Sequence, residues 1–209
     1  NGAAVKIETM AGRGRVHVGG TTMNKLTLTL TLAAFAGGAS ALTVSGVDVP
    51  ETADVSGQEL VLNGAGLRTK YVLANVYVAG LYLPERSSSA DSIIDLDQTR
   101  RISLFMKRDL DADTFMEAFH EGLENNLDNE DMQSLGPKID ELDQLFAEVG
   151  SLSKGDRLDL SFTDDQTEVS LDGELLDTVD GAQMQSALIK IWLGEQPAQD
   201  DLKSAMLGQ

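Results

Sequence analysis

The chain contains no cysteine. Disulfides, thiolate metal sites and thiol nucleophiles are therefore excluded. Histidine is scarce, two in 209 residues, and only His120 lies beyond residue 41. Basic residues are also few, 16 against 34 acidic, for a net charge of −18. Such a surface repels nucleic acid and anionic membranes. It reads first as a device for solubility. No internal repeat, low-complexity segment or nucleophile-elbow motif occurs. Asp109, Asp111 and Asp113 alternate as in a calcium loop. The glycine and closing glutamate of such a loop are missing at the required spacing, so these acids read as helix-start and solvation residues.

The first 41 residues differ from the rest. They hold four basic residues, Lys6, Arg13, Arg15 and Lys25, and one acid, Glu8. Met23 opens a segment with a basic start at Lys25, an apolar middle from Leu26 to Phe35 and a small-residue end at Ala39-Ser40-Ala41. That order of parts is the layout of a secretory signal peptide. The expectation is cleavage after Ala41, residues 1–22 translated from a start placed too far upstream, and one mature domain over 42–209. The apolar run is short for a membrane span. A periplasmic or secreted location follows from the signal, with no membrane span after cleavage.

Beyond residue 41 the pattern alternates strands and helices in blocks. Val44–Val49 reads as a first strand ending at Pro50. Gln58–Leu62 reads as a second, closed by the turn pair Asn63-Gly64. Leu67–Leu83 is a long apolar strand or a tight strand pair, followed by a short helix from Ser89 and a strand at Arg101–Met106. Phe115, Phe119, Leu123 and Leu127, at spacing four, mark an amphipathic helix capped by Asp111 or Asp113. A second helix is expected over Leu135–Val149, with Pro137 in its first turn, where proline is tolerated. Asp156–Phe162 and Glu168–Leu171 form a hairpin, Asp172-Gly173 turns into Glu174–Val179, and helices follow at Ala182–Leu193 and Leu202–Leu207. Blocks of strands and helices indicate an α+β fold with an antiparallel sheet and helices on one face.

The most informative stretch is Leu62–Leu83. From Tyr71 to Leu83 it carries no charge, and Arg68 lies between its glycines and that apolar run. A guanidinium offers a planar fork to a carboxylate or enolate oxygen. Tyr71, Tyr77 and Tyr82 are the only tyrosines and all fall here. Tyr71 and Tyr77 are an even step apart, so an unbroken strand points both to one face. A phenol beside a guanidinium makes an oxyanion clamp. His120, on a face offset from the aromatic stripe, reads as a solvated helix residue.

The pattern G-x-G-x-R-x-K followed by V-Y-x-A-G-L-Y resembles the chalcone isomerase-like superfamily. So does the ending Ile191-Trp-Leu-Gly-x-x-Pro197 with Met206-Leu-Gly208, which is similar to the bacterial members. The resemblance implies an open-faced β-sandwich: a large antiparallel sheet covered by helices, with a pocket between. It implies that Arg68 binds ligand oxygen. In the family's isomerases a strand threonine and a helix tyrosine complete the catalytic site. Their positions fall here at Tyr77 and Phe115. Phe115 cannot donate a hydrogen bond to a substrate carbonyl, so the resemblance favours binding over ring closure.

The expected activity is therefore non-catalytic binding of an apolar carboxylate or similar amphiphile, such as a fatty acid, with no cofactor and no metal. Arg68 and Tyr77 would hold the anionic end. Phe115, Phe119, Leu104 and Met106 would line the apolar body. Two alternatives remain: an intramolecular lyase of the chalcone–flavanone isomerase type, with Arg68 and Tyr77 catalytic, and a protein-interaction module whose acidic surface meets a basic partner.

Overall fold

The uncharged run is uncharged because both of its faces are covered. In the computed structural model, which describes residues 40–70, 74–95 and 97–209, Val76 to Leu83 are buried without a break. Tyr77, Ala79, Leu81 and Leu83 join the main core beneath the helices. Val78 and Tyr82 join a second core on the opposite face, with Val49, Val55, Leu60 and Leu62. A strand buried on both faces has no place for a charge.

In chain order the elements are β1 (Ala41–Val44), β2 (Val47–Pro50), β3 (Thr52–Val55), β4 (Gln58–Lys70), β5 (Ala74–Leu83), α1 (Ala90–Ile94), β6 (Arg100–Met106), β7 (Leu110–Asp111), α2 (Ala112–Glu124), α3 (Asn129–Val149), β8 (Ser151–Leu152), β9 (Arg157–Thr163), β10 (Gln166–Leu171), β11 (Glu174–Asp180), α4 (Ala182–Leu193) and α5 (Asp200–Met206). Seven strands form one antiparallel sheet in the order β11-β10-β9-β6-β5-β4-β3. The fold is α+β, a large antiparallel sheet with helices packed on one face. Among the described residues no helix is long and apolar enough to cross a membrane.

Several boundaries differ from the sequence reading. The first strand is a hairpin, β1 with β2, turning at Ser45 and Gly46, both at positive φ. Lys107 ties that hairpin to the end of β6, its Nζ donating to the Ser45 carbonyl at 2.6 Å. Leu67–Leu83 is a strand pair, whose connection at 71–73 lies outside the described residues, as does Tyr71. Of the expected signal segment 23–41, residues 23–39 lie outside them too, while Ser40 and Ala41 are described: Ala41 opens β1 and the Ser40 carbonyl accepts from Glu51 N at 2.9 Å.

Asn63-Gly64 is not a turn. It is a bulge inside β4, where the register against β5 shifts between Leu62 and Gly64. The Asn63 amide donates to the carbonyls of Met206 (2.8 Å) and Ser87 (2.9 Å), and its oxygen accepts from Ser87 N. The glycines serve helix approach instead of chain reversal. A Cβ on Gly64 would overlap the carbonyl oxygen of Ala205, and one on Gly66 would sit 2.7 Å from Ala205 Cβ. Helix α5 therefore lies directly on the β4 backbone.

Helix α3 starts at Asn129, earlier than Leu135. Its N-cap is Asp128, whose carboxylate accepts from Glu130 N and Asp131 N. Pro137 consequently sits inside the helix. Pro137 and Gln133 are both exposed, so the carbonyl left without its i+4 donor is on the solvent side.

Two glycine substitutions should behave differently. Gly64→Ala forces a methyl into backbone and should destabilise by about 1–3 kcal/mol. Gly136→Ala meets nothing within 4 Å beyond its chain neighbours and its own helix backbone, but the Pro137 ring disfavours helical geometry for a preceding residue with a Cβ. This offsets the propensity gain of about 0.5–1 kcal/mol, and stability should change little. Urea denaturation followed by the fluorescence of the single tryptophan, Trp192, measures both. A neutral Gly64→Ala would refute the close docking of α5.

Candidate functional site

Arg68 and Tyr77 are cross-strand partners on β4 and β5, so their side chains share one face of the sheet. At the next residue, Thr69, the register shifts again, the extra residue being Val76 of β5. There the chain is held from outside the sheet by Gln199, the residue before α5. Gln199 Oε1 accepts from Thr69 N at 2.9 Å, from Thr69 Oγ1 at 3.3 Å and from Arg68 Nη1 at 3.3 Å. Arg68 Nη1 also donates to the Thr69 carbonyl at 2.7 Å. Both of these bonds use Nη1, and the guanidinium also hydrogen-bonds the Tyr77 side chain.

Tyr77 is buried, and its oxygen accepts from Trp192 Nε1 at 3.0 Å. Burial raises this phenol above the ordinary tyrosine range, partly offset by the Trp192 bond and by the nearby Arg68 charge. It is therefore a neutral hydroxyl at physiological pH. Trp192 N–H and the Arg68 guanidinium are donors only. Neither can accept the phenol's own hydrogen. A phenol beside two donors needs an acceptor, and the space next to it is open.

That space is a cavity of about 360 Å³ between the sheet and helices α2 and α4. Val76, Phe115, Phe119, Ile191 and Trp192 make its apolar wall, with Arg68 and Tyr77 on the sheet side. The Phe115 ring packs against Phe146 with centroids 4.9 Å apart and the planes tilted by 38°, which fixes the wall. Lys70, Arg108, Asp109, Asp111 and Glu117 also line it. Asp111 caps α2, accepting from Thr114 N at 2.9 Å, and that backbone bond holds its carboxyl below the usual range. Asp109 accepts from Lys154 N at 2.8 Å. Asp111 is thus the helix-start residue expected from the sequence, whereas Asp109 holds the backbone of a distant turn. Among the described residues no group of three or more His, Asp or Glu side chains is placed to hold a metal ion.

Four of the residues named from sequence therefore meet at one cavity: Arg68, Tyr77, Phe115 and Phe119. Leu104 and Met106 do not. They face the helices as expected, yet both are sealed in the main core and neither is on the cavity wall. Strand alternation supplies the correct face; it does not supply distance across the sheet, and β6 lies beyond β5 from β4. Tyr82 is on the opposite face, its hydroxyl donating to the Pro50 carbonyl at 3.0 Å. His120 bridges α2 to α3 through Asp143 at 2.8 Å and is not on the cavity wall. Trp192 and Gln199 were missed as site residues. Trp192 is the only tryptophan and lies in the I-W-L-G motif, a signal that was on view without a role attached. Gln199 had no signal, because nothing in its neighbourhood says that it crosses to β4.

This sheet, its helical cover and an Arg–Tyr pair facing the intervening cavity define the architecture of a known class. The family model described as chalcone isomerase-like matches residues 41–208, and the chain belongs to that family. No curated protein matches the sequence. Among solved structures the fold is similar to that of AtFAP1, a fatty-acid binding protein of Arabidopsis thaliana. The TM-score is 0.63 at 19% identity, over 78% of this chain and 92% of the other.

The buried phenols make stability depend on alkaline pH. Tyr77 is raised above 10.0, and Tyr82 is pushed up to about 12, chiefly by burial and next by Asp159. Folding favours the protonated phenol in both, so above the unfolded pKa of about 10 the native state binds more protons than the unfolded chain. Stability from these groups is complete below that pH and falls as pH rises through 10 toward 12. The urea midpoint at pH 10.5 should lie below that at pH 8. Tyr82→Phe should lessen the difference. An unchanged midpoint across that range would contradict the burial of these phenols.

Proposed function

We propose that the protein binds an apolar carboxylate of the fatty-acid type without transforming it. The observation that carries this reading is the Tyr77 hydrogen, which has no acceptor among the described residues, beside Arg68. A ligand group that accepts from both needs lone pairs and no hydrogen of its own to place there. A carboxylate meets that description, and a guanidinium matches its geometry. The apolar wall of Phe115, Phe119, Ile191 and Trp192 suits an alkyl or flat hydrocarbon body. A volume of about 360 Å³ is at the small end of ligand pockets, which favours medium chain lengths. The fatty-acid binding named for AtFAP1, a protein of the same fold, supports the reading. Phe115 supplies no donor for the developing charge of a ring closure, whose loss alone lowers rate by about 10²–10³.

Calorimetric titration of a medium-chain fatty acid into wild type, Arg68→Ala and Tyr77→Phe tests the assignment. Arg68→Ala should weaken binding by roughly 2–5 kcal/mol and Tyr77→Phe by about 0.5–1.5 kcal/mol. Equal affinities in all three would remove the anion site from this face. With naringenin chalcone the product should stay racemic; an enantiomeric excess that vanishes in Arg68→Ala would instead install an intramolecular lyase.

We further propose that this binding takes place outside the cytosol, after removal of residues 23–41. The ordered basic, apolar and small-residue parts of that segment support it. N-terminal sequencing of the protein from its native host should begin at Leu42. A cytosolic chain retaining residues 23–41 would end the idea.

A further inference from the structure

The sheet face turned away from the helices carries a second arrangement of charge. Asp159 on β9 is 2% exposed although it lies on this outer face. Its Oδ1 accepts from Ser103 Oγ at 2.6 Å, and its Oδ2 accepts from Arg157 Nε at 2.9 Å. The same Oδ2 is 4.0 Å from Arg101 Nη1, while Arg101 Nε donates to Ser161 Oγ at 2.8 Å. One buried carboxylate thus gathers two guanidinium groups around a single oxygen. Burying a carboxylate costs desolvation that its partners only just repay, so such a network contributes little net stability. What it does provide is orientation. Both Nε atoms are occupied, the Nη groups of Arg101 and Arg157 make no hydrogen bond among the described residues, and the two side chains are 17% and 38% exposed.

A cleft of about 250 Å³ opens at that point, walled by Pro50, Thr52 and Ala53 on one side and by the two arginines on the other, with Phe105 part-buried in it. Most other polar groups facing it are committed. Ser103 is held by Asp159 and the Tyr82 hydroxyl by Pro50 O. Asp54, exposed, also lines the cleft and accepts from Gly57 N at 3.1 Å. The donors still available are therefore the guanidinium N–H groups and the exposed Thr52 hydroxyl, beside an aromatic side chain.

We propose that this outer cleft is a second binding site, separate from the Arg68 cavity, for a small organic oxyanion. A carboxylate or phosphate oxygen would bridge Arg101 and Arg157, and a flat apolar part would rest on Phe105. Asp159 is a positioning residue that holds both forks, and it would not touch the ligand. Asp159 and Asp54 offset the two arginine charges, so recognition rests on directed donors, and a bare halide gains little from the site. The cleft is smaller than ordinary drug-sized pockets, which limits the ligand to a compact metabolite.

The test is amide chemical-shift titration of the full chain with benzoate and, separately, inorganic phosphate, at ionic strength held constant with sodium chloride. Saturable shifts are expected at Arg101, Ser103, Phe105 and Arg157, with none from chloride. Tighter benzoate binding would assign a flat carboxylate, and tighter phosphate binding a phosphate ester. Running the series in Arg68→Ala removes any benzoate bound in the helix-side cavity, so failure of one site is distinguishable from failure of the other. Arg157→Gln should weaken binding roughly tenfold, the loss of one charge-assisted contact. Should that variant unfold, Arg157→Lys, which keeps the charge and loses the fork, is the substitute and should also bind more weakly. No saturable shift at β6 and β9, an equal response to chloride, or unchanged affinity in the folded Arg157 variant would overturn the proposal.

Discussion

The docking of helix α5 onto strand β4 is the constraint on which the site depends. It requires two positions without a side chain, Gly64 and Gly66, because the Ala205 carbonyl and Cβ occupy the space a Cβ would take. It is clipped at one end by the Asn63 amide on Met206 O and at the other by Gln199 on Thr69 and Arg68. The same contact that seats the helix therefore aims the arginine. A guanidinium on a flexible stem loses entropy when a ligand orders it. One already bonded through Nη1 to a carbonyl and an amide has much of that ordering done before the ligand arrives.

Tyr77 is treated in a comparable way from the other side. The Trp192 indole, on α4, points its N–H at the phenol oxygen. Donor-only neighbours dictate where the phenol hydrogen goes. The site's polarity is thus set by Trp192, whose ring also belongs to the apolar wall, and by Gln199, which lies behind Arg68 and off that wall. Both come from the last fifth of the chain, whereas Arg68 and Tyr77 come from one hairpin near its start. The two motifs that identify the family in the sequence are the two halves of one hydrogen-bonded unit in the fold.

The two faces of the sheet are chemically distinct. Toward the helices β5 and β6 present Tyr77, Ala79, Leu81, Ile102 and Leu104. Away from them β6 and β9 present Arg101, Ser103, Asp159 and Ser161, and the β1–β2 hairpin covers only the part near Val78 and Tyr82. A half-covered outer face explains why β6 alternates polar and apolar residues while β5 does not.

Much of this was legible in the sequence. Period-two and period-four patterns, caps such as Asp111 and turns such as Asp172-Gly173 are local, and they located every helix, the longer strands and the α+β class, but not the short strands β3, β7 and β8. Arg68 stood out in the sequence too, with Lys70 at the root of an uncharged run, and both line the cavity. What the sequence could not decide was anything set by two segments distant in the chain. Asn63-Gly64 looks like a turn because turn chemistry and close-approach chemistry both call for a small residue; only the position of α5 separates them. Leu104 and Met106 had the right face but sat one strand too far from Arg68, since alternation carries direction without lateral distance. Gln199 and Trp192 acquired roles only when α4 and α5 came to rest beside β4 and β5. Local backbone preference and burial pattern are written into neighbouring residues, whereas a site is the meeting of side chains that share no neighbours, and only the packed chain brings them together.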